Sequence, residues 1–246
     1  AAIESGGRCR KVSTVWIPRA EVEKVMPADV PGVELSMEAL AAAESAAALR
    51  AMLQPLADGY GRWIADQAKL PVGDGPRAQV AAEVRKAAGR ARDRTADGLN
   101  CLDDPQALDA FRIANRAMAT AARRRYPSRY PAGTAPRWWP FQLAFVLMNL
   151  RGIADPEHAD RSIVDLLFFP TGGWKTEAYL GLAAFTLVLR RLRNPGITSA
   201  GVSVLMRYTL RLLTLDQLGR AATLICALEL EREKDVELLG RWPFEI

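Results

Sequence analysis

Histidine and cysteine are almost missing from this sequence, and their scarcity removes several kinds of chemistry at once. His158 is the only histidine among 246 residues, and the cysteines number three: Cys9, Cys101 and Cys226. No two cysteines stand at metal-ligand spacing, so a zinc site has nothing to build on. One histidine, set in the polar turn 155–160, gives a Ser-His-Asp triad no support and reads as a surface residue. Isolated cysteines in odd number form no disulfide framework, which fits a reducing cytoplasm. Long apolar runs are missing too. The longest, over residues 180–189, is interrupted by Thr186 and closed by Arg190, Arg191 and Arg193, too short to cross a bilayer. The N-terminus shows no charged start, apolar run and small-residue cleavage site, so no signal peptide is expected. These absences point to a soluble cytoplasmic protein without a membrane partner.

What is present is a basic, globular composition. Half of the residues are apolar and 25% are charged, a balance that excludes disorder. Lysine and arginine exceed aspartate and glutamate by 33 − 28 = 5, and the pI is about 9.3, which favours a polyanionic partner such as nucleic acid.

Along the chain, residues 1–35 hold short apolar pieces between Pro18, Pro27 and Pro31 and read as an irregular arm. Residues 36–136 read as a helical accessory region. Ser36 is a cap for a helix running to Leu53, and a second helix is expected over 56–69, with Tyr60, Trp63, Ile64 and Gln67 at three- and four-residue spacing as core positions. Residues 78–99 form a helix carrying Arg85, Lys86, Arg90, Arg92 and Arg94 on a solvated face. Asp103-Asp104-Pro105 starts the next helix, with Ala107, Ala110, Phe111, Ala114 and Met118 on its buried stripe and Leu108 at the edge. Between Arg123 and Pro140 arginines alternate with Tyr126, Tyr130, Trp138 and Trp139. Such a stretch either contacts phosphates and stacks on bases or forms a packed linker with buried rings and solvated guanidiniums.

From 137 to 246 the pattern becomes that of an α/β domain. After a helix over 141–150, residues 162–169 and 201–206 read as buried parallel strands, with helices over 176–193 and 210–234, hence the start of a doubly wound sheet. The fold class expected is α-rich α/β. The loop between the first strand and its helix is Phe169-Pro170-Thr171-Gly172-Gly173-Trp174-Lys175-Thr176-Glu177. Small residues let backbone N–H groups converge on phosphates, Lys175 neutralises them, and the Thr176 hydroxyl is placed for Mg²⁺. A helix N-terminus adds partial positive charge. Trp174 departs from the pattern, because the position before the lysine calls for glycine; an indole there is expected to impair nucleotide binding.

The loop resembles motif I of superfamily 2 helicases, Pro-Thr-Gly-x-Gly-Lys-Thr-Glu, and two flanking segments agree in order. Arg137-Trp138-Trp139-Pro140-Phe141-Gln142 resembles the glutamine motif, which makes Gln142 the adenine reader. Leu205 to Leu213 with Gln217 resembles motif Ia, so Thr209 and Arg211 take the nucleic-acid backbone contacts. With the helical first half and Ala114-Asn115-Arg116-Ala117-Met118, the chain is similar, from about Val15 onward, to the large helicase subunits of the bacterial DISARM anti-phage system. That resemblance implies a RecA-like domain binding ATP and Mg²⁺ through Gln142, Thr171, Gly172, Gly173, Lys175 and Thr176. It also implies DNA and other defence-system subunits as partners.

A complete helicase also carries an Asp-Glu pair on a later strand and a second RecA-like domain. The sequence reaches Ile246, 246 − 175 = 71 residues beyond Lys175, with no strand bearing such a pair. Asp103-Asp104, at an upstream helix cap, is no substitute. The expectation is therefore the N-terminal portion of an ATP-dependent helicase or translocase, hydrolysing little or nothing alone. The competing expectation is a non-enzymatic nucleic-acid or partner-binding scaffold on a degenerate RecA-like fold. A different P-loop ATPase is disfavoured by Thr176-Glu177 and the motif Ia-like segment.

Overall fold

Ser36, Ser45 and Asp104 each turn a side-chain oxygen onto a backbone N–H of the turn ahead: Ala39 at 3.2 Å, Ala48 at 3.1 Å and Gln106 at 2.9 Å. Each bond satisfies a donor that a helix start leaves unpaired, and so fixes where the helix begins. The computed structural model describes residues 29–167, 175–207 and 211–246, without the side chains of 211–214. Its helices are α1 (Met37–Ala42), α2 (Ala46–Gln67), α3 (Pro76–Cys101), α4 (Pro105–Arg125), α5 (Pro140–Ala154), α6 (Lys175–Arg193), α7 (Arg211–Lys234) and α8 (Val236–Leu239). Short 3-10 turns lie at Ala159–Ser162 and Gly196–Ser199. The domain division and the arm over 1–28 rest partly on residues outside this description.

Helix α4 is the centre. It packs on α1, α6 and α7, while α3 packs on α2 and α5, and α5 on α6. The stripe on α4 is the one its spacing predicts: Ala107, Ala110, Phe111, Ala114 and Met118 are buried and Leu108 is half-buried. Small residues on this stripe let neighbours approach, and the larger side chains Phe111, Phe185, Leu147 and Leu228 fill the space between. Burying such a side chain is worth about 1.5–3 kcal/mol each. The closest approach is at Gly98 of α3, where an added Cβ would run into the Leu147 carbonyl of α5.

The C-terminal residues are held by buried polar contacts. The Arg191 guanidinium donates to the carbonyls of Leu239, Trp242 and Pro243 and lies 4.5 Å over the Phe244 ring. Glu229 accepts from the Phe244 N–H at 2.9 Å and from Arg232 Nε at 2.8 Å.

Several expectations require correction. The first helical run breaks at residues 43–45, not before Leu56, because Ser45 caps a new helix that runs through Pro55. Tyr60 and Trp63 are 36% and 52% exposed rather than core, since they lie in an open groove between α2 and α3 with Leu70, Val80 and Val84. The helix-rich half of the fold expectation holds, and the described parts of the two expected strands, 162–167 and 201–206, are not paired into a sheet. Among the described residues there is no strand, and the isolated antiparallel bridge is Ser36 with Arg137. Residues 163–167 and 201–206 run without a ladder, and Val164, Leu166, Val202 and Leu205 are at least 78% exposed. A parallel strand is held by neighbouring strands and by helices on both faces, and these segments have neither. No helix among the described residues is long and apolar enough to cross a membrane.

Two glycines of α3 give a paired prediction. Gly98→Ala is expected to cost about 1–3 kcal/mol through overpacking, lowering Tm by about 2–4 °C per kcal/mol. Gly89→Ala, with nothing within 4 Å of the added carbon, is expected to be stabilising by about 0.5–1 kcal/mol. Thermal melts of the two variants check both signs.

A pH dependence follows from Glu229, whose carboxyl is held below the ordinary 4.5, first by its hydrogen bonds to Arg232, then by the Phe244 N–H. A carboxyl with a depressed folded pKa contributes stability that is present above the unfolded value and lost as pH falls through the folded one. Melts of the chain and of Glu229→Gln should therefore differ most above pH 4.5 and converge in more acidic buffer.

Candidate functional site

A cleft of about 240 Å³ opens where the end of α4, the 126–139 connection and the starts of α5 and α6 face α7. Its position is set by Trp138. The Trp138 backbone and that just before it are pinned to the start of the first helix: Met37 N–H donates to Pro136 O at 2.9 Å and Trp138 N–H to Leu35 O at 2.8 Å. The indole is 3% exposed and its N–H donates to Asn115 Oδ1 at 2.8 Å, while Asn115 Nδ2 donates to Phe111 O one turn back. The other edge of the ring lies on α6 at Gly181, where a Cβ would come within 2.5 Å of it. One side chain thus keys α4, the start of α5 and α6 together.

Gln142 stands one turn into α5. It is 2% exposed, and its Oε1 accepts from the Trp139 N–H at 2.8 Å, behind Pro140 at the first helical position. Its side-chain carbonyl therefore serves the helix start, a role the sequence reading did not assign. On α6, Lys175 is the first residue and half-buried, and Thr176 is buried at 7% exposure in the first turn. Glu177 follows and lines the same cleft as Gln142.

A chain of charges closes one wall. Arg220, 7% exposed on α7, pairs with Glu177 and lies 3.9 Å from Asp216. Asp216 in turn accepts from Arg125 at 2.6 Å. The Tyr126 hydroxyl, 3.0 Å from Arg125 Nε, and then Asp216 push the Arg125 guanidinium above its ordinary value against some desolvation. Arg129 and Arg137 line the opening with Tyr130 and Trp139. Glu177 and Asp216 neutralise Arg220 and Arg125, so Arg129 and Arg137, with planar rings alongside, are the cations that suit an anionic ligand carrying a flat group. Among the described residues no three His, Cys, Asp or Glu side chains cluster as metal ligands.

The two readings of the arginine-aromatic stretch both find a place. Trp138 is a packed ring, and Arg123 donates to Glu38 at 2.7 Å and to the Tyr130 carbonyl at 3.1 Å. Arg129 and Arg137 face the cleft. Of the residues predicted for the site, Gln142, Lys175 and Thr176 come to this region. Thr171, Gly172, Gly173 and Trp174 lie outside the described residues, as does Thr209. Arg211 is the first residue of α7, and its side chain is not described. Arg220 escaped the sequence reading, and Arg125, Glu177 and Asp216 were read only as members of the arginine-aromatic stretch and of the motif I and motif Ia segments, not as one wall. Only the i, i+4 spacing of Asp216 and Arg220 on one helix face hinted at their pairing.

No family model matches the chain. Its sequence is 37% identical to DISARM protein DrmA of Bacillus paralicheniformis, in an alignment that covers 99% of the chain and 24% of that protein. The chain spans about a quarter of the length of this relative and matches its N-terminal portion.

Trp138→Phe keeps a ring in the core but leaves Asn115 Oδ1 buried without its donor, at an expected cost of about 1–3 kcal/mol. Adding Asn115→Leu removes the orphaned acceptor and should cost less than the sum of the two single changes. Urea unfolding of all four proteins in the double-mutant cycle measures that coupling.

Proposed function

The chain is a homologue of DISARM protein DrmA, and on that premise we propose that it is the nucleotide-binding front portion of an ATP-dependent nucleic-acid helicase or translocase acting in bacterial anti-phage defence. The observation that carries the reading is the meeting of Gln142 and Glu177 in one arginine-lined cleft, with Lys175 and Thr176 in the same first turn of α6. Two segments chosen from sequence as adenine and phosphate motifs are neighbours in space, which chance resemblance does not require.

In this reading the cleft takes the base beside Gln142, and Thr171, Gly172, Gly173 and Lys175 cradle the phosphates. The Thr176 hydroxyl serves Mg²⁺, and a buried threonine at a helix N-terminus suits that role. Bound ATP would supply the free energy of phosphoryl transfer, while the groups present here bind and orient it. Trp174 in place of glycine lowers affinity. Thr209 and Arg211 touch the nucleic-acid backbone, DNA by preference, in the cytoplasm and beside other defence-system subunits. The exposed apolar segments 163–167 and 201–206 would then pair as strands of a RecA-like sheet in the longer protein.

A second reading, a non-enzymatic binding scaffold, is favoured by Trp174 and by the Gln142 carbonyl being committed to its helix start. Equilibrium titration of a fluorescent ATP analogue with Mg²⁺ separates the two. Trp174→Gly is expected to bind at least about tenfold more tightly than the chain itself, a difference of about 1.4 kcal/mol, and adding Gln142→Ala should weaken it again. Equal or absent binding in all three proteins would leave only the scaffold.

A further inference from the structure

The outer halves of α2 and α3 form a projecting helical pair with an unfinished seam. None of residues 58–67 of α2 or 76–94 of α3 is buried, whereas toward the other end of the pair Leu49, Leu53, Leu56 and Leu99 are buried and Arg50 donates to Asn100. Tyr60, Trp63, Ile64, Leu70, Val80 and Val84 line an elongated groove of about 760 Å³ between them. Tyr60 and Trp63 are stacked with centroids 5.6 Å apart, and Trp63, Leu70, Val80 and Val84 are 52–62% exposed. A contiguous apolar strip of this kind is uncommon on a finished surface and marks a place where another surface docks.

The shape and charge of the groove say what fits it. Its apolar residues on α3 recur as Pro76, Val80, Val84 and Ala88, every fourth position, so the strip runs along the helix for about 18 Å at about 1.5 Å per residue. A groove along an antiparallel helix pair accepts a third helix, as in a bundle. Its charged lining residues are Arg77 and Arg85, and among the described residues neither has a carboxylate partner. We infer that this groove receives an amphipathic helix of a partner protein, about three turns long, with acidic residues flanking its apolar stripe. The aliphatic majority of the lining argues for a protein side chain over a nucleic-acid base, since Val80, Val84, Ile64 and Leu70 offer no stacking surface. The inference stands on α2 and α3 alone and does not depend on the nucleotide reading.

The test uses the whole chain and labelled synthetic peptides of about sixteen residues, about four helical turns. One peptide carries leucines at helical spacing flanked by glutamates, a second carries lysines in place of the glutamates, and a third is the glutamate peptide with a central proline. Fluorescence anisotropy should show the glutamate helix binding at least tenfold more tightly than the other two. Val84→Asp, at a 62% exposed position, should abolish binding without changing Tm, and Arg77→Glu with Arg85→Glu should reverse the preference to the lysine peptide. Equal binding of the glutamate and lysine helices, or indifference to charge reversal, overturns the inference. So does a labelled oligothymidylate whose binding is lost on Val84→Asp, which makes the groove a nucleic-acid site. A dimer in sedimentation velocity that Val84→Asp dissolves overturns it as well, in favour of a second copy.

Discussion

The buried indole of Trp138 is the contact on which the other packing around the cleft depends. It joins three elements at one point, through a hydrogen bond to Asn115 on α4, backbone bonds at Pro136 and Trp138 to Met37 and Leu35, and an edge contact on Gly181 of α6. An indole does this because it is large enough to fill a three-way junction and has a single polar atom to satisfy. With the ring fixed, Trp139 must lie at the start of α5 and Gln142 one turn further, facing α6. The cleft wall is thus a by-product of core packing.

Several of the arginines tie the molecule together. Arg94 grips Asp160 at 2.7 Å and Asp165 at 2.6 and 2.8 Å, tying the segment before residue 168 to α3. Arg193 bridges the Ala154 carbonyl and Asp104, and Arg191 gathers the C-terminal carbonyls. A planar guanidinium with five donors can satisfy several loop carbonyls at once, which helix-to-helix connections require. An excess of arginine that reads as a polyanion footprint is therefore in good part architectural, and the cations that face outward gather at the cleft and along α3.

The helices were legible because their signals are local. Ser36, Asp104 with Pro105, and Asn194-Pro195-Gly196 act within a turn of themselves, and the buried stripe of α4 follows from spacing alone. Strands are harder to read, because apolar runs such as 163–167 and 201–206 are strands only where neighbours pair with them, and among the described residues none does. Tyr60 and Trp63 carry core spacing, yet among the described residues nothing covers them.

The sequence by itself determined the helix starts at Ser36 and at Asp104-Pro105, which face of α4 is buried, the order of the motif-like segments, and the similarity to DISARM protein DrmA. Each of these is a property of residues near one another in the chain or of their order. Only the tertiary structure decided that Gln142 and Glu177 share a wall, that Arg220 and Asp216 complete it, that Trp138 is a keystone, and that the far end of α2 and α3 is open. Those are contacts between residues tens of positions apart, and burial and pairing at such distances depend on how the helices pack, which no local pattern encodes.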